Sequence, residues 1–137
     1  MTAVLPISVD LFAVPKVVPE VRRILRARFG AADVGDLALC VSELLSNVIE
    51  HLGEGTPVTL RISGTRAGRI RVAVSDPAPG VWPVLRFAGA DRTSGRGLLL
   101  VDALALGWGV EQGPYRKTVW CELRAPAGPG LVVGVRS

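Results

Sequence analysis

Glu43, Asn47 and His51 recur every four residues within Glu43-Leu44-Leu45-Ser46-Asn47-Val48-Ile49-Glu50-His51. On a helix this spacing makes one polar stripe beside an otherwise apolar face. A carboxylate and a carboxamide one turn apart are what a magnesium–nucleotide site can use. The amide oxygen is a hard ligand for Mg²⁺, and the carboxylate can orient or deprotonate an attacking hydroxyl. An ordinary polar helix edge has the same spacing, and a histidine in the last turn before Gly53 also suits the negative end of the helix.

Two further segments have chemical potential. Asp76-Pro77-Ala78-Pro79-Gly80 follows a run of strand-like alternation. An Asp-Pro turn is a common exit from a strand, and it can also fix a carboxylate at a sheet end, where it accepts a hydrogen bond from the exocyclic amine of a base while Gly80 lets the backbone come close. Ser94-Gly95-Arg96-Gly97 precedes the apolar Leu98-Leu99-Leu100-Val101. Glycines at a helix start let backbone N–H groups approach an anion, and the helix dipole favours phosphate there. A lone Gly-x-Gly is a weak signal.

These residues need a scaffold, and the periodicity supplies one. Residues 5–14, with Pro6, read as an edge strand or extended arm. Pro19 and Glu20 suit the first turn of a helix whose apolar positions are Val17, Val21, Ile24, Leu25 and Phe29, with Arg22, Arg23 and Arg26 opposite and Gly30 as the stop. Asp33 or Asp36 is the expected cap of a second helix, apolar at Leu37, Ala38, Val41, Leu44, Leu45, Val48 and Leu52 and ended by Gly53. The period then changes to two. Val58, Leu60 and Ile62 alternate with polar residues, as do Ile70, Val72 and Val74 beyond a glycine-bounded turn, which predicts an antiparallel hairpin. Residues 76–94 read as a long loop, 97–106 as a short helix, and 108–112 and 116–124 as two strands joined at Gly113-Pro114. The last stretch, 125–137, reads as a tail or an added edge strand. Helices set before and between antiparallel strands predict an α+β fold, a two-layer α/β sandwich with helices on one face of a mostly antiparallel sheet.

Composition narrows the partners. The chain has 137 residues, 49% of them apolar. That suffices for one core and excludes a disordered or fibrous chain. Sixteen basic against twelve acidic residues give +4, but the charges are scattered, and the one arginine cluster, 22 to 28, has no interleaved aromatics. Direct nucleic-acid binding is therefore not expected; a solvated helix face or a docking surface for an acidic protein accounts for the cluster. Cys40 and Cys121 lie in apolar surroundings without metal-ligand spacing and read as buried free thiols. With no apolar run of spanning length and no basic leader, the expected location is cytoplasmic, away from membranes.

The order of the segments is more specific than any one of them. Glu43 to His51, then Asp76 to Gly80, then Gly95 to Val101, then Lys117-Thr118-Val119-Trp120 resembles the N, G1, G2 and terminal-threonine boxes of the GHKL (histidine-kinase-like) ATPases, and within them the anti-sigma-factor serine/threonine kinases. The resemblance covers residues 10–124. It implies a Bergerat-type ATPase domain over residues 1–124, with ATP and Mg²⁺ as cofactors. Glu43 would be the catalytic base, Asn47 the Mg²⁺ ligand, and Asp76 the acceptor of the adenine amine. Gly80, Arg92, Gly95, Arg96, Gly97 and Leu98 would bind the nucleotide, with Thr118 near the base. The implied partners are a sigma factor and an anti-sigma-factor antagonist protein, with the chain as a homodimer.

The sequence also departs from the pattern. The superfamily's Asp-x-Gly-x-Gly has Ala78 and Pro79 here, and the lid from Gly80 to Gly95 lacks lysine, which leaves Arg86, Arg92 and Arg96 to meet phosphate charge. Two functions follow. One is a switch kinase that sequesters a sigma factor and phosphorylates the antagonist. The other is a catalytically weak or inactive nucleotide-dependent protein-binding module. On either, residues 81–94 are expected to be mobile until a γ-phosphate orders them.

Overall fold

The computed structural model describes residues 3–4, 6–30, 34–77, 99–125 and 131–132. Strands β2 (Ile7–Ala13), β3 (Thr56–Gly64), β4 (Arg69–Asp76), β5 (Gly107–Gln112) and β6 (Lys117–Arg124) form an antiparallel sheet in the order β2-β3-β4-β6-β5. Helices α1 (Val17–Phe29) and α2 (Gly35–Leu52) pack against each other, and α2 lies on β2, β3, β4 and β6. Residues 99–104 are also helical. The two-layer α+β sandwich expected from the periodicity is the observed architecture. Within the stretch expected to be a tail or an added edge strand, Leu131–Val132 (β7) pairs in parallel with Ala3–Val4 (β1), forming a two-stranded sheet separate from the main one.

The alternation of each strand explains which face is covered. Leu60, Val74 and Val119 face one another across β3, β4 and β6, as do Ile62, Val72 and Cys121, and all six are buried. Cys40, Val41, Leu44, Leu45 and Val48 of α2 close over them in one core cluster. Cys40 and Cys121 are free and buried as expected, and the neighbouring Cys40 thiol, with burial, pushes the Cys121 thiol far up. The other sheet face is open and polar. There Arg71 stacks 4.2 Å above Trp120 and pairs with Glu111 at 3.0 Å and Glu122 at 3.5 Å. Gly109 lies under Trp120, where a Cβ would meet the indole at 3.0 Å.

Three local expectations are corrected. The residue preceding α2 is Val34, in helical backbone and without a side-chain cap, while Asp36 lies inside the first turn; Asp33 lies outside the described residues. Val34 is buried, so apolar anchoring rather than a side-chain cap holds this helix start. On α1 the buried seam runs through Val18 and Leu25, leaving Ile24 exposed. Arg22, four residues after Val18, lies on that seam half-buried, whereas Arg23, Arg26 and Arg28 face solvent. Among the described residues no helix is long and apolar enough to cross a membrane.

Candidate functional site

The polar stripe of α2 lies at the edge of the covered layer. Asn47 is buried, and Glu43 and His51 are half-buried. Neither Asn47 Oδ1 nor His51 Nε2 has a hydrogen-bond partner among the described residues, although both atoms are shielded. Leaving a buried polar atom unpaired costs about 1–3 kcal/mol, so a fold tolerates it chiefly where a ligand later satisfies it. His51 does not serve the helix end through Nε2. Gly53, at φ +100°, donates its N–H to the Ile49 carbonyl, and Thr56 Oγ1 donates to the Gly53 carbonyl.

A shielded amide oxygen without a partner among the described residues fits Mg²⁺, which takes few protein ligands and keeps waters and phosphate oxygens around it. No group of three or more His, Cys, Asp or Glu residues that could hold a metal occurs among the described residues. One turn before Asn47, burial pushes the Glu43 carboxyl above its ordinary value; Glu50 pushes it further and Arg22 across the helix pair opposes both. A raised carboxylate is a better proton acceptor. Arg22 and Glu50 also line a cavity of about 320 Å³ between α1 and α2, with Ser46 and Pro19.

The sheet supplies the second half. Asp76 ends β4 on the covered face, and the register sets Lys117 of β6 directly opposite it. Their side chains are 1% and 4% exposed, with Lys117 Nζ 3.5 Å from Asp76 Oδ2. Thr118 is one residue on and so points to the other face, where it pairs with Ser75 across a 2.7 Å hydrogen bond. The structure thus brings Lys117 to Asp76 and does not bring Thr118 there. Lys117 is the candidate that the spacing analysis missed. Its signal was available, since Lys117, Val119, Cys121 and Leu123 share one parity and the last three are apolar. Gly80, Arg92, Gly95, Arg96, Gly97 and Leu98 lie outside the described residues, as do Ala78, Pro79, Arg86 and the rest of 81–94.

Comparison with known proteins bears on the family and the fold. Residues 7–122 match the family described as histidine kinase-like ATPase domain. An uncharacterized protein of Streptomyces coelicolor is 44% identical over 104 residues, covering 69% of this chain and 99% of that protein. The fold is similar to the crystal structure of the RsbU and RsbW domains of Rv1364c from Mycobacterium tuberculosis, with a TM-score of 0.64 at 20% identity. That similarity covers 94% of this chain, which spans 35% of the solved one.

Proposed function

The chain belongs to the histidine kinase-like ATPase family, and from that premise we propose that it is an ATP- and Mg²⁺-binding regulator of the anti-sigma-factor type with protein serine kinase activity. Its substrate on this reading is an antagonist protein, its sequestered partner a sigma factor, and its working form a homodimer. The observation that carries the reading is the shielded Asn47 Oδ1, without a hydrogen-bond partner among the described residues, one helical turn from a Glu43 whose carboxyl is pushed up by burial. The resemblance to the anti-sigma-factor kinases and the fold shared with an RsbW-containing structure support the choice within the family.

Each residue then has a task. Asp76 accepts a hydrogen bond from the adenine amine, Asn47 would hold the metal, and Glu43 takes the proton of the target serine hydroxyl as its oxygen bonds to the γ-phosphorus and the bond from that phosphorus to the β-phosphate oxygen breaks, releasing ADP. Mg²⁺ held there would neutralise phosphate charge. A nucleotide-dependent binding module without turnover is the second reading. Its support is Ala78-Pro79 where the family's pattern has a more flexible backbone.

Isothermal titration with ATP and ADP, with and without Mg²⁺, tests the site. Asn47→Ala should abolish the metal dependence of ATP affinity. Glu43→Gln should leave binding nearly intact and remove phosphoryl transfer, because a base acts mainly in the transition state. Absence of ATP binding to the wild-type protein overturns the proposal, and binding without transfer to any protein serine favours the second reading.

A further inference from the structure

The described residues place a lysine where adenine recognition is assigned to a carboxylate alone. Lys117 and Asp76 are cross-strand partners at the end of the sheet, both nearly sealed from solvent, with the ammonium 3.5 Å from the carboxylate. Asp76, at the sheet end, also borders a groove of about 360 Å³ that Ser75 and Thr59 of the open face line with Phe12 and Tyr115, and that Lys117 does not line. We propose that Lys117 is a second base-reading residue, so that Asp76 and Lys117 together read the N6 and N1 positions of a 6-aminopurine. This deepens the ATP reading above and rests on it.

The chemistry follows from the donor and acceptor pattern. The 6-amino group of adenine donates, and the adjacent ring N1 accepts. A carboxylate only accepts, and an ammonium has three N–H donors, so it can serve a carboxylate and a ring nitrogen together. Side by side, the two groups complement this edge. A 6-oxopurine in the same orientation puts a carbonyl against the carboxylate and an N1–H against the ammonium, so both contacts become repulsive. Burial sharpens the discrimination, because a mismatched group in a site without water has no solvent partner to fall back on. A buried lysine and aspartate could instead be a purely structural pair. The two accounts differ in what they predict for the base, since a structural pair is indifferent to ring N1.

The test is isothermal titration of the wild-type protein, in Mg²⁺, with ATP, with 1-deaza-ATP (N1 replaced by C–H, amine kept) and with inosine triphosphate. A charge-assisted hydrogen bond to N1 predicts that 1-deaza-ATP binds about 10- to 100-fold more weakly than ATP, and inosine triphosphate at least as weakly. In folded Lys117→Met, ATP and 1-deaza-ATP should bind alike. Equal binding of ATP and 1-deaza-ATP to the wild-type protein overturns the role of Lys117 and leaves the ATP reading standing. No binding of ATP overturns both. The wild-type comparison needs no variant, so equal binding overturns the role of Lys117 even where Lys117→Met does not fold.

Discussion

Neighbouring rungs of the β4–β6 ladder have opposite characters. Asp76–Lys117 is an ion pair sealed on the helix-covered face, and Ser75–Thr118, one residue away, is a hydroxyl pair on the open face beside the Arg71, Glu111, Glu122 and Trp120 cluster. Both faces have opposite charges within 4 Å, yet the physics differs. The Arg71 and Glu122 side chains are 27% and 22% exposed, so water and salt screen their attraction. Asp76 and Lys117 have almost no such access, so each charge needs partners within the protein, and each supplies one to the other. Charge on the covered face therefore points to a constraint beyond surface solubility, and on the proposed reading the candidate site exploits that constraint.

The largest effect should come from breaking the sealed pair. Lys117→Met removes the ammonium beside the buried carboxylate and should cost about 3–5 kcal/mol in urea denaturation, whereas Asp76→Leu combined with Lys117→Met should recover most of that loss. Arg71→Ala on the open face should cost only about 1 kcal/mol, from weak ion pairs and the stacking on Trp120. If Lys117→Met costs no more than Arg71→Ala, the distinction between the faces collapses.

A smaller effect, of opposite sign, is expected at Asn47. Its shielded oxygen has no hydrogen-bond partner among the described residues, so Asn47→Leu removes a penalty of about 1–3 kcal/mol and should stabilise the ligand-free protein while destroying Mg²⁺-dependent ATP binding. Destabilisation in the ligand-free state would show that the oxygen is satisfied and that the stripe is an ordinary polar edge.

What could be read from the chain beforehand divides along the same line. The α2 stripe and the two hairpins were legible because they depend on short periods, four on the helix and two on the strands, and the hydrophobic alternation fixes which face is covered. The partner of Asp76 was not legible. It lies 41 positions further on, and pairing it requires the register of β4 against β6, which no local pattern encodes. Thr118 was assigned to the base from the resemblance, while strand parity sends it to the opposite face. Val34 and Ile24 show the other limit, where the exact packing of α1 and α2 decided which apolar residue was sealed.

Thr118 provides the next test of the two faces. Thr118→Val removes the hydroxyl bonded to Ser75 and should cost roughly 1 kcal/mol, a typical net value for one hydrogen bond, while leaving ATP affinity unchanged within twofold. A tenfold loss of affinity in the folded variant would mean that the base reaches around the sheet end to the open face, and the assignment to Asp76 and Lys117 would need redrawing.

The smallest effect concerns Glu43, at the border of the covered layer, and its signature is in the pH dependence. Burial, then Glu50, raise its folded-state value above the ordinary 4.5, against the opposing influence of Arg22. The folded protein therefore binds this proton more tightly than the unfolded chain does. The resulting stability is fully present below the unfolded carboxylate range and is lost as pH rises through the folded value. Glu43→Gln keeps a neutral side chain of similar shape at every pH. It should give a small rise in Tm at pH 7 that vanishes in acid, while phosphoryl transfer is lost throughout. Transfer by the wild-type protein should fall as acid protonates Glu43, with its midpoint above 4.5, because the base must be ionised to act. A Tm difference that is the same at pH 4 and pH 7 would detach Glu43 from this titration. A variant that still transfers phosphate would move the base elsewhere, and the chemistry of the covered face would then rest on Asn47, Asp76 and Lys117 alone.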